Sequence, residues 1–269
     1  MKKIIYRIFA AILFCGATFF TSCNPKDDNK PIENLAEKII GKWIYAESNG
    51  EPLQTNNKRV FTFVSSTKAF VCASSTVEGA AGTQWNDHQE ADVVISGNTV
   101  TLTIHTDEHR TDVNKFDIIT IDDSMFTAIL RVTVVANGNL EGFSERNIRL
   151  TKVTADYQQP ILGVWEGRCT SDGSAFDDEQ VHRWQYKADG TYVYYVKEGD
   201  SWVPNSSNTL NEYFVDGNLL CTRWVDSGQE YREWWEITIN GDKMNWTALR
   251  QDSGGAPRTV TFEMTLVSN

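Results

Sequence analysis

The chain repeats itself at an interval of about 120 residues. Ile40-Gly41-Lys42-Trp43 returns as Leu162-Gly163-Val164-Trp165. Ile95-Ser96-Gly97-Asn98 returns as Val215-Asp216-Gly217-Asn218, and Phe126-Thr127-Ala128 as Trp246-Thr247-Ala248, all in the same order. Solenoid units run only to about 50 residues, so each copy must build a hydrophobic core of its own and is expected to be a domain. The copies are placed at residues 35–154 and 158–269. The few residues between them, ending at Pro160, are too short a linker to hold the two apart, so they should touch.

In the second copy the turn dipeptides Asp189-Gly190, Asp216-Gly217, Ser227-Gly228 and Asn240-Gly241 lie between runs rich in aromatic and β-branched residues. Glycine supplies the positive φ angles that two-residue hairpin turns require, so successive strands should be antiparallel neighbours. Gly163 to Val267 holds about eight such strands and almost no helical periodicity. The expected fold class is all-β: two tandem eight-stranded up-and-down barrels, a closed form that leaves no open edge.

Cross-strand partners share a face, so each turn predicts which side chains point inward. Asn240-Gly241 pairs Ile237 with Met244, Trp235 with Trp246, and Glu233 with Ala248. Ser227-Gly228 pairs Trp224 with Tyr231, Thr222 with Glu233, and Leu220 with Trp235. Asp216-Gly217 adds Tyr213 and Val215, and Asp189-Gly190 joins Trp184 to Tyr195 and Tyr186 to Val193. The expected interior is therefore Trp184, Tyr186, Tyr195, Tyr213, Thr222, Trp224, Glu233, Trp235 and Trp246, an aromatic lining with one carboxylate. Arg183, Arg223, Arg232 and Glu236 are expected on the solvent face. In the first copy Ser96-Gly97 gathers Val93, Ile95, Val100, Leu102 and Ile104, an aliphatic set better suited to a filled core. Its turn Asp122-Asp123 pairs Ile119 with Phe126 and Asp117 with Ala128, which places Asp117 at an inward site equivalent to that of Glu233.

At the N-terminus, Lys2, Lys3 and Arg7 precede an uncharged run from Ile8 to Phe20, the pattern of a secretory signal. The run is short of the roughly 20 residues a helix needs to cross a bilayer, so residues 1–22 are expected to be cleaved. Phe20-Thr21-Ser22-Cys23 resembles the lipobox of bacterial lipoproteins, which implies that Cys23 receives the lipid. Several acyl chains at ~0.8 kcal/mol per buried methylene would hold the protein firmly. Residues 23–34 then form a polar, aperiodic tether. Its Lys26-Asp27-Asp28 run resembles the export signal of surface lipoproteins of Bacteroidota, which implies the outer membrane, cell-surface side.

Loss of the three basic residues of the signal lowers the Lys and Arg count from 25 to 22 against 36 acidic residues, a formal net charge of −14 in place of −11. That balance argues against a nucleic-acid partner. Cys15 leaves with the signal and Cys23 carries lipid, so Cys72, Cys169 and Cys221 remain, an odd number that cannot be a full disulfide framework. Spacing leaves a Cys169–Cys221 bridge open.

Gly41-x-Trp43 and Gly163-x-Trp165 each open the first strand of a predicted eight-stranded meander. In this the chain resembles the lipocalin-like domains of Bacteroidota lipoproteins and, more distantly, the calycin barrels. The resemblance implies that Trp43 and Trp165 pack across the closed end of their barrels, and that a small, largely apolar molecule binds inside a cup. Against this, an eight-stranded barrel is just wide enough either to be filled by its own side chains or to hold one small ligand.

Signals for catalysis, metal or cofactor are thin, and none is expected. His105 and His109 have the i, i+4 spacing that serves a helix, yet they sit at a strand end. Asp177-Asp178-Glu179 reads as acidic surface before it reads as a calcium loop. The favoured function is that of a surface-exposed lipoprotein that captures a small hydrophobic or aromatic molecule or a glycan in the second barrel; the alternatives are an accessory envelope lipoprotein with filled barrels that works through protein contacts and, behind it, an enzyme using an internal carboxylate.

Overall fold

The structure, a computed structural model, describes residues 30–73, 88–106, 108–169, 180–251 and 255–268. The signal, Cys23 with most of the tether, and the acidic loop 172–179 lie outside these residues. The repeated segments fall together in one compact unit, Ile32–Asn269.

The first copy opens with a short helix, α1 (Leu35–Lys38), and continues through β1 (Gly41–Ser48), β2 (Glu51–Pro52), β3 (Arg59–Phe63), β4 (Lys68–Ala73), β5 (His88–Ser96), β6 (Thr99–His105), β7 (Arg110–Ile121), β8 (Met125–Ala136) and β9 (Asn139–Val153). Strands β3 to β9 are sequential antiparallel neighbours, and β1 pairs with both β3 and β9. The ring therefore closes as an eight-stranded up-and-down barrel, with β2 a two-residue extension of its rim. Burial alternates with period two, as along β6. Val93, Val100, Leu102 and Ile104 pack with Phe61, Phe63, Phe116 and Phe126 in one buried cluster.

The second copy comprises β10 (Gly163–Cys169), β11 (His182–Tyr186), β12 (Tyr192–Glu198), β13 (Ser201–Pro204), β14 (Asn208–Asp216), β15 (Leu219–Asp226), β16 (Gln229–Asn240), β17 (Lys243–Arg250) and β18 (Arg258–Ser268). Its order, β13-β12-β11-β10-β18-β17-β16-β15-β14, has two ends. The closed second barrel expected from the hairpins is in fact a curled half-barrel sheet. Strand β13 folds back along Tyr195–Glu198 and takes the edge of β12 that β14 would need. Strand β14 is itself broken between Thr209 and Glu212, where Leu210 has a left-handed φ of 55°. Across the seam run a bridge between Thr191 and Glu212 and a bond from the Tyr213 N–H to the Gly190 carbonyl, 2.8 Å.

Both copies begin identically. Gly41 and Gly163 each sit at φ +122°, a conformation that side-chain-bearing residues rarely adopt. Two residues on, the Trp43 and Trp165 indoles are fully buried, and each Nε1–H donates to the carbonyl four residues earlier, Ile39 or Ile161, at 2.7 Å. The tryptophan thus ties the turn that precedes the strand onto the core. Lys152 Nζ lies 5.0 Å from the Trp43 ring centre, a cation over that indole.

The two halves touch, as the short linker implied. Ile44, Val60 and Cys72 of the first barrel form one buried cluster with Leu219, Cys221 and Trp234 from the outer face of the second sheet. Lys42 pairs with Asp216, and Lys58 with Glu236 at 2.5 Å. The Leu249 N–H donates to Thr55 Oγ1 at 2.9 Å. A Cβ on Gly217 would come within 2.6 Å of Val153. The expectation that Arg223, Arg232 and Glu236 face open solvent is also corrected: Arg223 is 5% exposed and pairs with Glu212, the Arg232 side chain is 12% exposed beside Glu230, and Glu236 pairs with Lys58 across the joint. Cys169 belongs to the inner core and Cys221 to the joint, on opposite faces of the sheet, so they form no bridge, and none of the three described cysteines is in a disulfide.

Asp117 is not an inward residue. Ile119 is extruded as a bulge between Ile118 and Thr120, which flips every residue before it, so that Phe116 and Ile118 enter the core. Asp117 lies outside, accepting from Thr99 Oγ1 at 2.8 Å and from Arg131. Partial burial works against its charge, but those bonds hold its carboxyl below the usual range. The inward polar residue of the first barrel is Asn114, 2% exposed, with its Oδ1 buried and without a hydrogen-bond partner. Counted from the shared turn glycines Gly97 and Gly217, Leu102 corresponds to Thr222. The partners of these two across the ladder are Asn114 and Glu233.

Candidate functional site

The second sheet is packed solid at one end and hollow at the other. Trp165, Tyr186, Tyr213, Val215, Leu220, Ile237 and Met244 fill the end reached first from the linker. Toward the other end lies a cavity of about 240 Å³ lined by His182, Trp184, Tyr192, Tyr194, Asn208, Thr222, Trp224, Glu233, Trp235, Trp246 and Phe262. An apolar cavity of about 150 Å³ already holds a benzene, so this one has room for one ring and its substituents, or for a compact pair of rings.

The Ser227-Gly228 turn positions the chemistry as the sequence predicts, pairing Thr222 with Glu233, Trp224 with Tyr231 and Leu220 with Trp235. The hairpin of β16 and β17 pairs Ile237, in place of Trp235, with Trp246, because its two turn residues are Gly241 and Asp242. Sliding a two-residue turn by one position shifts every partner by two and leaves each side chain on its face, so Trp235 and Trp246 still meet inside. The Asp189-Gly190 turn differs in kind. Asp189 Oδ1 accepts from the Thr191 N–H at 3.0 Å and from its hydroxyl at 2.6 Å, which widens the loop by a residue. The ladder therefore pairs Tyr186 with Tyr192 and Trp184 with Tyr194. Tyr195 is turned outward, its hydroxyl donating to Gln185 at 2.9 Å.

Of the expected interior, Trp184, Thr222, Trp224, Glu233, Trp235 and Trp246 meet at the cavity. Tyr186 and Tyr213 belong to the packed core beside it. Burial raises the phenol of Tyr186 well above its ordinary range and that of Tyr213 to about 12, while the Tyr213 hydroxyl donates to the Lys187 carbonyl at 2.7 Å. His182, Tyr192, Tyr194, Asn208 and Phe262 complete the lining without having been singled out in the sequence.

The rings are close and cross-braced. Trp246 lies 4.8 Å from Trp184 and 5.6 Å from Trp235, centre to centre, and Phe262 meets both Trp184 and Trp235 edge-on at 90°. Such pairs contribute ~0.5–1.5 kcal/mol each beyond area burial, which fixes the shape of the wall. His182 stacks on Trp184 and its Nδ1 lies 3.0 Å from the Tyr194 hydroxyl. Trp224 and Tyr231 form a stacked plate, 5.4 Å apart and tilted by 16°.

Among the described residues Glu233 is the single acidic group on this wall. Burial raises its carboxyl above the ordinary glutamate range, opposed by the charge of Arg250 and by the Trp235 indole, which donates to Oε2 at 3.3 Å. Arg250 rests on the Trp235 ring, 4.4 Å from its centre, and its nearest nitrogen stands 3.8 Å from Oε1, beyond hydrogen-bond reach. His105 and His109 are exposed and apart from this site, and the described residues hold no group of three His, Cys, Asp or Glu able to bind a metal.

No protein-family model and no curated protein matches the sequence. Among solved structures, the chain is similar to a protein with unknown function from the DUF3598 family of Nostoc punctiforme, at 10% identity and a TM-score of 0.22 over 85% of this chain and 96% of that one. It is similar also to the vaccine antigen transferrin binding protein B of Haemophilus parasuis, at 10% identity and a TM-score of 0.22 over 81% of this chain and 61% of that one.

Proposed function

We propose that this protein is a lipid-anchored envelope protein that takes up a small aromatic or apolar molecule in the hollow end of its second sheet. The observation that carries the reading is the cavity itself: about 240 Å³, walled by aromatic rings and broken by few polar groups, the make-up of a small-molecule site. The first barrel, filled by its own side chains, serves as the rigid neighbour on which the second sheet is mounted.

Neutral aromatic probes of one or two rings are expected to quench the fluorescence of the wall tryptophans and to raise the melting temperature, since a ligand that binds only the folded state stabilises it. Trp246→Ala should weaken that binding at least about tenfold, because Trp246 braces both Trp184 and Trp235. Mass spectrometry of molecules released from natively purified protein would identify the cargo. Failure of any such probe to bind would leave the accessory, protein-contact reading. The anchor has its own test: Cys23→Ser is expected to move the protein from the membrane fraction to the soluble one, and unchanged retention would refute it.

A further inference from the structure

The polar groups of the cavity narrow the kind of molecule it takes. Resting on the small-molecule reading above, we propose that the ligand is an organic cation, an alkylated or aryl ammonium, held between the aromatic wall and the carboxylate of Glu233.

Among the described residues the lining includes no lysine and no arginine, and its acidic side chain is 27% exposed, open to the cavity. A carboxylate has about four acceptor positions. The described contacts of Glu233 use one of them, for the Trp235 indole at 3.3 Å, while Arg250 stays 3.8 Å away. A neutral apolar ligand would bury that carboxylate further and give it nothing, which is costly. A cation repairs this. It gives the carboxylate a closer charge partner than Arg250, and its alkyl shell lies against ring faces, whose quadrupoles attract positive charge. The protein already makes this contact once at the same place, where the Arg250 guanidinium lies on Trp235, 4.4 Å from the ring centre. The volume fits a phenyl ring bearing a trimethylammonium group better than a steroid-sized or lipid-sized molecule.

The test uses two probes of nearly one shape, phenyltrimethylammonium and its neutral carbon counterpart tert-butylbenzene, titrated into the full chain by tryptophan fluorescence. The cation is expected to bind at least about tenfold more tightly, the equivalent of ~1.4 kcal/mol. In Glu233→Gln the ratio of the two affinities should fall toward one, with the melting curve confirming a folded variant. Arg250→Gln, which removes the competing guanidinium, should raise the ratio. Equal or tighter binding of the neutral probe to the unmodified chain would overturn the cation proposal and leave the aromatic cavity standing. A ratio unmoved by Glu233→Gln or lowered by Arg250→Gln would also overturn it, and failure of both probes to bind would remove the small-molecule reading with it.

Discussion

Trp165→Ala is expected to lower the stability of the second half by about 3–5 kcal/mol, the usual loss for truncating a fully buried tryptophan. Two effects add. The indole leaves a cavity among Ile161, Tyr186 and their neighbours in the solid end of the sheet, and the Ile161 carbonyl loses the Nε1–H that binds it at 2.7 Å. Trp165→Phe separates them. It keeps most of the volume and drops the bond, so it should cost about 1 kcal/mol from the hydrogen bond plus a smaller packing loss. Trp43→Ala is the same experiment in the first barrel, where Trp43 also meets Phe126 edge-on at 5.1 Å. Thermal or urea unfolding checks all three. Trp165→Ala within about 1 kcal/mol of the unmodified chain would mean that the repeated Gly-x-Trp is not what closes these cores.

How much of this was legible in the sequence depended on which groups make each turn. Where backbone alone makes a two-residue turn, as at Ser227-Gly228, the partners follow directly from the sequence. Where the turn slides by one residue, as at Gly241-Asp242, the partners move by two, yet faces survive, because the side-chain period of a strand is two. Where an aspartate side chain reaches over and the loop gains a residue, the faces invert. Asp189 does this with Thr191, which exchanged Tyr195 for Tyr192 and Tyr194 in the cavity wall. Asp122 also caps its turn, with Ser124 and Met125, but there the partners move by two and the faces survive; the Ile119 bulge beyond it sent Asp117 to the outside. Glu233 was found because its register came from Ser227-Gly228. The open seam of the second sheet has another origin: the two-residue turn Gly199-Asp200, not among the turn dipeptides read in the sequence, returns Ser201–Pro204 to β12 in place of β14.

Leu219 and Leu220 are neighbours and both fully buried, yet aspartate at the two positions should do different things. A strand cannot normally bury adjacent side chains unless both of its faces are covered. Here Leu220 enters the core with Trp235 and Ile237, while Leu219 meets Ile44, Val60 and Cys72 of the other half. Leu220→Asp puts a carboxylate into the inner core of the second sheet, at a cost of several kcal/mol, and should unfold that sheet while the first barrel survives. Leu219→Asp puts the same charge into the joint, beside Asp216 and its Lys42 partner. The cheapest relief is to part the two surfaces, so both inner cores should persist. Seven of the nine tryptophans lie from Trp165 onward, so tryptophan fluorescence reports the second half, and hydrogen exchange at Ile44 and Val60 reports the joint. Leu219→Asp is expected to keep the native tryptophan spectrum apart from the exposure of Trp234 at the joint, with faster exchange there, and Leu220→Asp to lose that spectrum. If both variants lost it in one transition, each half would need the other to fold, and the repeated segments would be two parts of one cooperative structure in place of two domains.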